Sequence, residues 1–342
     1  MPGLYTWAQT STVDQVTIRL GYQMPKFAYS APAENMFPTI VAQSREAESA
    51  GFDCVFLADH FFQVPTLSEP SRSMPEVYTT LGALATPTKK IQLSALVTCN
   101  NFRNPALLAK AVSTLDVASG ARAVLGIGAG WFEPEHTQYG YEFGTLTDRF
   151  ERLDEALRII TPMLRGDRPT LDGKWYHVEN AINEPRIRDD LPILLGGSGE
   201  KKTFALAARF ADHLNITCGQ SELPRKLDAL DARCAEVGRD RSTLETSYLA
   251  FVFIDENGDR ARKLQHEFLL DLGVDLSTAS EAERAAATDR MFCGAPDEIA
   301  EQIDTRVLEP GIDGIVLNLG ANARQPEIVE LTGRTLRTLV EA

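Results

Sequence analysis

Short apolar runs alternate with helical stretches along almost the whole of this chain, and that alternation leaves few folds open. Strand-like runs lie at 16–23, 54–57, 91–98, 123–127, 192–195, 213–216, 245–254 and 314–317. Helical spacing or helix punctuation follows each of them, at 37–49, 78–85, 105–118, 148–164, 204–210, 223–237, 297–307 and 326–340. Pro105 stands at a permitted first helical position and Gly120 just past the end of the same helix. Eight strands each followed by a helix predict an α/β fold, a (β/α)8 TIM barrel with insertions after strands. A doubly wound sheet with a small second domain is the competing arrangement. The chain reads as one barrel domain over 1–342, with an N-terminal arm at 1–15 and insertions at 61–75, 166–190 and 273–290. The second insertion carries Lys174-Trp175-Tyr176-His177-Val178, which reads as a small hairpin. In a barrel, long excursions after strands grip substrates, and the active site collects at the strands' C-terminal ends.

Charge and cysteine usage narrow the function classes. Lys+Arg number 34 against Asp+Glu 48, a formal net charge of -14, which disfavours nucleic acid or an anionic membrane as partner. No run reaches the roughly 18 apolar residues of a membrane helix. Residues 1–15 lack the basic-then-apolar order of a signal peptide. Cys54, Cys99, Cys218, Cys234 and Cys293 are odd in number and widely spaced, which argues against a disulfide framework or zinc ribbon and fits a reducing cytoplasm. The histidines show no His-Glu-x-x-His spacing, so no catalytic metal is expected.

The strand ends carry the chemistry. Pro192-Ile193-Leu194-Leu195 runs into Gly196-Gly197-Ser198-Gly199 and then Glu200-Lys201-Lys202-Thr203. A strand, a glycine turn and a helix start capped by Ser198, with two lysines beside it, suit a phosphate. Neither the P-loop nor the dinucleotide fingerprint is matched, and a plain glycine turn is the bland alternative. Strand two ends in Ala58-Asp59-His60. His60 can donate a proton or a hydrogen bond; Asp59 can orient its ring or hold the following loop. After strand three come Thr98, Arg103 and Asn104-Pro105, a ligand edge or a helix cap. Strand four leads into Gly126-Ile127-Gly128-Ala129-Gly130-Trp131-Phe132-Glu133-Pro134-Glu135. Its glycines let a flat ring approach the backbone, Trp131 can stack, and Glu133 and Glu135 are either site carboxylates or solvated charges.

In this order, Ala58-Asp59-His60-Phe61, Thr98 with Arg103-Asn104-Pro105, Gly126 to Trp131 with Glu135, the helix at 149–157 and Pro192 to Gly199 resemble the luciferase-like oxidoreductase superfamily over residues 16–340. The Asp59-His60 pair resembles its branch that uses the deazaflavin coenzyme F420. The resemblance implies a barrel with the cofactor ring at the strand C-termini and hydride transfer between the deazaflavin and an organic substrate. It places His60 near ring and substrate as the catalytic proton donor, with Asp59 beside the cofactor. It places a non-prolyl cis peptide at Ala95–Leu96. Thr98, Gly128, Ala129, Gly130 and Trp131 then line the ring and ribityl chain, and Gly196, Gly197 and Ser198 hold the phosphate, supported by Lys201 or Lys202. A homodimer is implied as well. Trp131 stands where the branch's sugar-phosphate dehydrogenases carry a glutamate, which argues against a sugar-phosphate substrate. Two other functions remain open: an FMN-dependent two-component monooxygenase, and a non-catalytic flavin-binding barrel.

Overall fold

The computed structural model describes residues 17–24, 26–27, 33–65, 68–320 and 325–341; the expected arm at 1–15 lies outside them. Eight parallel strands close on themselves: β1 (Leu20–Met24), β2 (Cys54–Leu57), β3 (Gln92–Ala95), β4 (Ala123–Gly128), β5 (Ile193–Gly196), β6 (His213–Ile216), β7 (Glu245–Ile254) and β8 (Gly314–Asn318). Each pairs with the next, and β8 pairs back onto β1 with Leu20 opposite Ile315, so no edge is left in the ring. That closure excludes the doubly wound alternative.

The strands alternate their faces as a pleat requires. One set of side chains fills the interior: Ile18, Cys54, Phe56, Val124, Leu194 and Val316. The other set, including Tyr22, Val55, Leu93, Leu125, Ile193, Leu214 and Leu317, packs under the helices. The helical layer comprises α1 (Met36–Ser49), α2 (Val77–Ala85), α3 (Pro105–Ser119), α4 (Glu133–Tyr139), α5 (Leu146–Arg165), α6 (Thr203–Phe210), α7 (Leu223–Glu236), α8 (Gly258–Asp271), α9 (Glu281–Thr288), α10 (Pro296–Ile303) and α11 (Pro326–Val340). None of the described helices is long and apolar enough to cross a membrane.

α3 forms where its punctuation predicts. The Asn104 carboxamide accepts from the Ala106 and Leu107 N–H groups, and Gly120 closes the helix at φ 72°. The insertion at 166–190 does contain a hairpin, Leu171–Asp172 against His177–Val178. Four elements lie outside the expected alternation: α4, α8, α9 and the strand Met291–Gly294. α8 carries a stripe of Ala261, Leu264, Phe268 and Leu269, with Phe268 packed on the Phe251 and Phe253 rings, that the eightfold alternation passes over. α9, inside the 273–290 insertion, buries no side chain and is held by a Ser280/Glu283 capping box. Met291–Gly294 is a short strand that pairs with the far half of β7, outside the ring.

Candidate active site

The mouth of the barrel is shaped first by where β3 ends. Its ladder with β2 continues through Leu57 opposite Ala95, and the Leu96 N–H still donates to the Leu57 carbonyl at 2.8 Å. The chain turns only after that bond is made. The non-prolyl cis peptide therefore lies between Leu96 and Val97, one residue beyond the expected Ala95–Leu96. Val97 points between two glycines. A Cβ on Gly128 would come within 2.8 Å of Val97 Cγ2, and one on Gly196 within 2.7 Å of Val97 Cγ1. These glycines make room for a side chain of the same molecule. Leu96, Val97 and Leu249 rest half-buried on the inner core and form an apolar floor.

One wall rises from β2. His60 is half-buried, and its Nδ1 lies 2.8 Å from Glu135 Oε2. The other oxygen of Glu135 accepts from the Phe61 N–H at 2.5 Å. Glu135, on α4, is only 1% exposed. Trp131 and Phe132 meet the imidazole edge-on, at 5.8 Å and 6.1 Å between ring centres. Trp131 itself is 63% exposed, an unusual placement for the largest apolar side chain.

Asp59 does not orient His60. Arg103 takes both of its oxygens, at 2.6 Å and 2.9 Å, and the Cys99 N–H donates to one of them at 2.9 Å. The fork of a guanidinium matches a carboxylate better than an imidazole does. Arg103 also binds Glu76 and lies over the Tyr78 ring. Thr98 is tied to the Tyr78 hydroxyl at 2.8 Å, and burial pushes that phenol's pKa up. Behind them, burial drives the Cys99 thiol up to about 12. Burial likewise lowers the pKa of His136, whose Nδ1 lies 3.1 Å from the Phe132 carbonyl.

The opposite rim is the turn after β5. Gly197 has φ 138°, which glycine tolerates, and its N–H donates to the Asn215 carbonyl. Ser198 does not cap α6. That helix starts at Thr203 with Lys202 at its N-cap position, because residues 199–202 make a turn of their own. The Ser198 carbonyl instead accepts from Lys226 Nζ at 2.9 Å. Lys202 reaches Thr147 Oγ1 at 3.0 Å, joining this rim to the start of α5, whereas Lys201 is exposed.

Eight expected site residues thus keep surface at the mouth: His60, Leu96, Ala129, Gly130, Trp131, Gly196, Gly197 and Ser198. Asp59, Ala95, Thr98 and Gly128 are buried and support the walls from behind. Val97, Lys226 and Thr147 belong to the mouth without a sequence signal. For Glu135 the sequence leaves two readings open, and its burial decides between them. The arrangement offers an apolar floor, an aromatic wall, a positioned imidazole and a rim of backbone with a lysine. It can hold a flat ring with an anionic end and exchange one proton beside it.

Comparison with known proteins bears on the family and the fold. A model of the family described as luciferase-like monooxygenase matches residues 19–314. The F420-dependent glucose-6-phosphate dehydrogenase of Microbacterium testaceum is 34% identical over 226 residues, covering 65% of this chain and 66% of that enzyme. The 5,10-methylenetetrahydromethanopterin reductase of Archaeoglobus fulgidus is 30% identical over 63% of this chain and 60% of its own length. The matched stretches thus span two thirds or less of these relatives. Among solved structures, an F420-dependent secondary alcohol dehydrogenase in complex with an F420–acetone adduct has the same fold, with TM-score 0.76 at 22% identity, covering 94% of this chain and 99% of that one.

Proposed function

This chain belongs to the luciferase-like monooxygenase family, and on that premise we propose that it is an F420-dependent oxidoreductase moving a hydride between the deazaflavin and an organic substrate. The observation that carries the reading is His60, whose Nδ1 is held by a buried carboxylate beside an exposed tryptophan at the barrel mouth. The names of the similar F420-dependent enzymes support the choice of cofactor.

When bound, the deazaflavin supplies the hydride chemistry. The protein's part is placement and proton movement. Leu96, Val97 and Leu249 would support the ring from the barrel side, and Ala129, Gly130 and Trp131 would line it. Gly196, Gly197 and Ser198, with Lys202 and Thr147, would hold the phosphate end. His60 exchanges the proton that must accompany the hydride, so that charge does not build up on the substrate. The aromatic wall around Trp131 suits an uncharged organic substrate better than a sugar phosphate. A homodimer is part of the same proposal, checked by sedimentation equilibrium.

Titrating the purified protein with F420 and with FMN tests the cofactor. Tight F420 binding with weak FMN binding is expected. The reverse, with oxygen uptake on reduced FMN, would establish the two-component monooxygenase instead. His60→Ala should keep cofactor binding and lose about 100-fold or more in turnover. Unchanged turnover would remove His60 from the chemistry.

A further inference from the structure

Glu135 is a carboxylate shut away from water, 1% exposed, on a short helix 75 residues along the chain from the histidine it meets. Burying such a group without partners costs several kcal/mol. Its partners are two consecutive residues: the Phe61 N–H on Oε1 and His60 Nδ1 on Oε2. The carboxylate therefore fixes both the backbone after β2 and the ring that projects from it. A carboxylate accepts hydrogen bonds and donates none, so the proton between Glu135 and His60 belongs to Nδ1. Nε2 then carries a lone pair. It makes no hydrogen bond among the described residues, while the edges of Trp131 and Phe132 keep the ring from turning.

We propose that Glu135 is a positioning residue that locks His60 in the Nδ1–H tautomer and so presents Nε2 as the proton acceptor of the reaction. This rests on His60 being the proton-exchanging group of the proposed oxidoreductase. For an alcohol substrate, oxidation would break its C–H bond, the hydride going to the bound deazaflavin, and its O–H bond, the proton going to Nε2, so that the carbonyl forms and the ring becomes an imidazolium. Glu135 stabilises that cation across the 2.8 Å contact. In the reverse direction the same Nε2–H is the donor. Neither of the two nearest alternatives competes for the role. Asp59 is held by Arg103, and His136 is buried with its Nδ1 on the Phe132 carbonyl.

The test is long-range 1H–15N correlation of the His60 ring in protein without cofactor, at a pH where the ring is neutral. The wild type should be Nδ1–H. In Glu135→Gln the amide oxygen can keep the Phe61 contact while its NH2 faces Nδ1, so the ring should switch to Nε2–H. That variant should lose about 10²–10⁴-fold in kcat, with KM and cofactor affinity near those of the wild type. Glu135→Asp, which retains a carboxylate, should keep the Nδ1–H form and recover part of kcat. If Glu135→Gln fails to fold, the wild-type and Glu135→Asp spectra decide. An Nε2–H or doubly protonated ring in the wild type would overturn the proposal, as would a Glu135→Gln protein with unchanged tautomer and kcat. The spectra need no cofactor, so failure of the F420 reading would appear separately, in the titrations.

Discussion

Val97 is the residue on which the floor of the site depends. Its two methyl groups occupy space that Cβ atoms on Gly128 and Gly196 would enter at 2.8 Å and 2.7 Å. Contacts that short force either the neighbour or the added methyl to move. Gly128→Ala should therefore destabilise the protein by about 1–3 kcal/mol and weaken cofactor binding, because Val97 is pushed into the mouth. Val97→Ala alone should cost about 1 kcal/mol, and the double variant should recover part of the loss from Gly128→Ala. Urea unfolding of the three variants closes the cycle, and simple additivity would show that the two positions do not meet. Gly128 was legible in the sequence as a glycine of close approach; that Val97, at β3's end, is the side chain it makes room for was not. His60 was legible because a titratable group stands at a strand end. Its true partner was not, since Glu135 lies on a helix with no apolar pattern and reaches His60 across 75 residues.

Between elements, single polar groups do much of the fastening. One oxygen of Glu48, near the end of α1, accepts from the N–H groups of Lys89, Lys90 and Ile91 just before β3, at 2.8, 2.5 and 2.9 Å. Partial burial works to raise this carboxyl's pKa, but the three N–H groups outweigh it and hold the group below its ordinary 4.5. A depressed folded-state value means that the contribution is complete above the unfolded value and is lost as pH falls through the folded one. Glu48→Gln should lower stability by up to about 1 kcal/mol at neutral pH, the carboxylate being partly solvated. The difference from wild type should shrink as pH drops below about 4.5. Denaturation midpoints at pH 7 and pH 4 measure it; a gap that widens on acidification would show that Glu48 does not carry the effect. The elements themselves were mostly legible, since apolar period, Asn104 and Gly120 marked α3 and similar signals marked the ring strands. α9 was not, because it buries no side chain, nor was the Met291–Gly294 strand, four residues too short to show a period; α8 has its apolar stripe but falls outside the eightfold alternation.

At the scale of the whole molecule, a closed ring of short, fully paired strands makes the barrel indifferent to what is attached at its mouth. The insertion ending in α9 is such an attachment. Among the described residues it forms a cavity of about 170 Å³ with Gly219 after β6 and Phe251 of β7, walled by Ala286, Ala287, Asp289, Arg290 and Met291. Asp289 Oδ1 accepts from the Gln220 N–H at 3.2 Å, which ties the insertion's end to the loop after β6. α9 itself buries nothing and caps itself. Replacing residues 279–287 by a Gly/Ser linker, with Asp289 kept, should leave the far-ultraviolet spectrum intact and move Tm by only about 1–2 °C, as for other surface changes. Cofactor affinity should hold, because no residue of the floor or of either rim, Leu249 of β7 included, lies in the replaced segment. What should change is substrate capture. Removing the Ala286–Ala287 wall exposes Phe251 and widens the cavity, so KM should rise roughly tenfold while kcat stays within about twofold, the signature of binding lost equally from ground and transition states. Steady-state kinetics with a turned-over substrate reads both constants. A fall in kcat at constant KM would instead place α9 among the groups that assemble the reacting geometry, and an unchanged pair would mean that the substrate never enters this cavity.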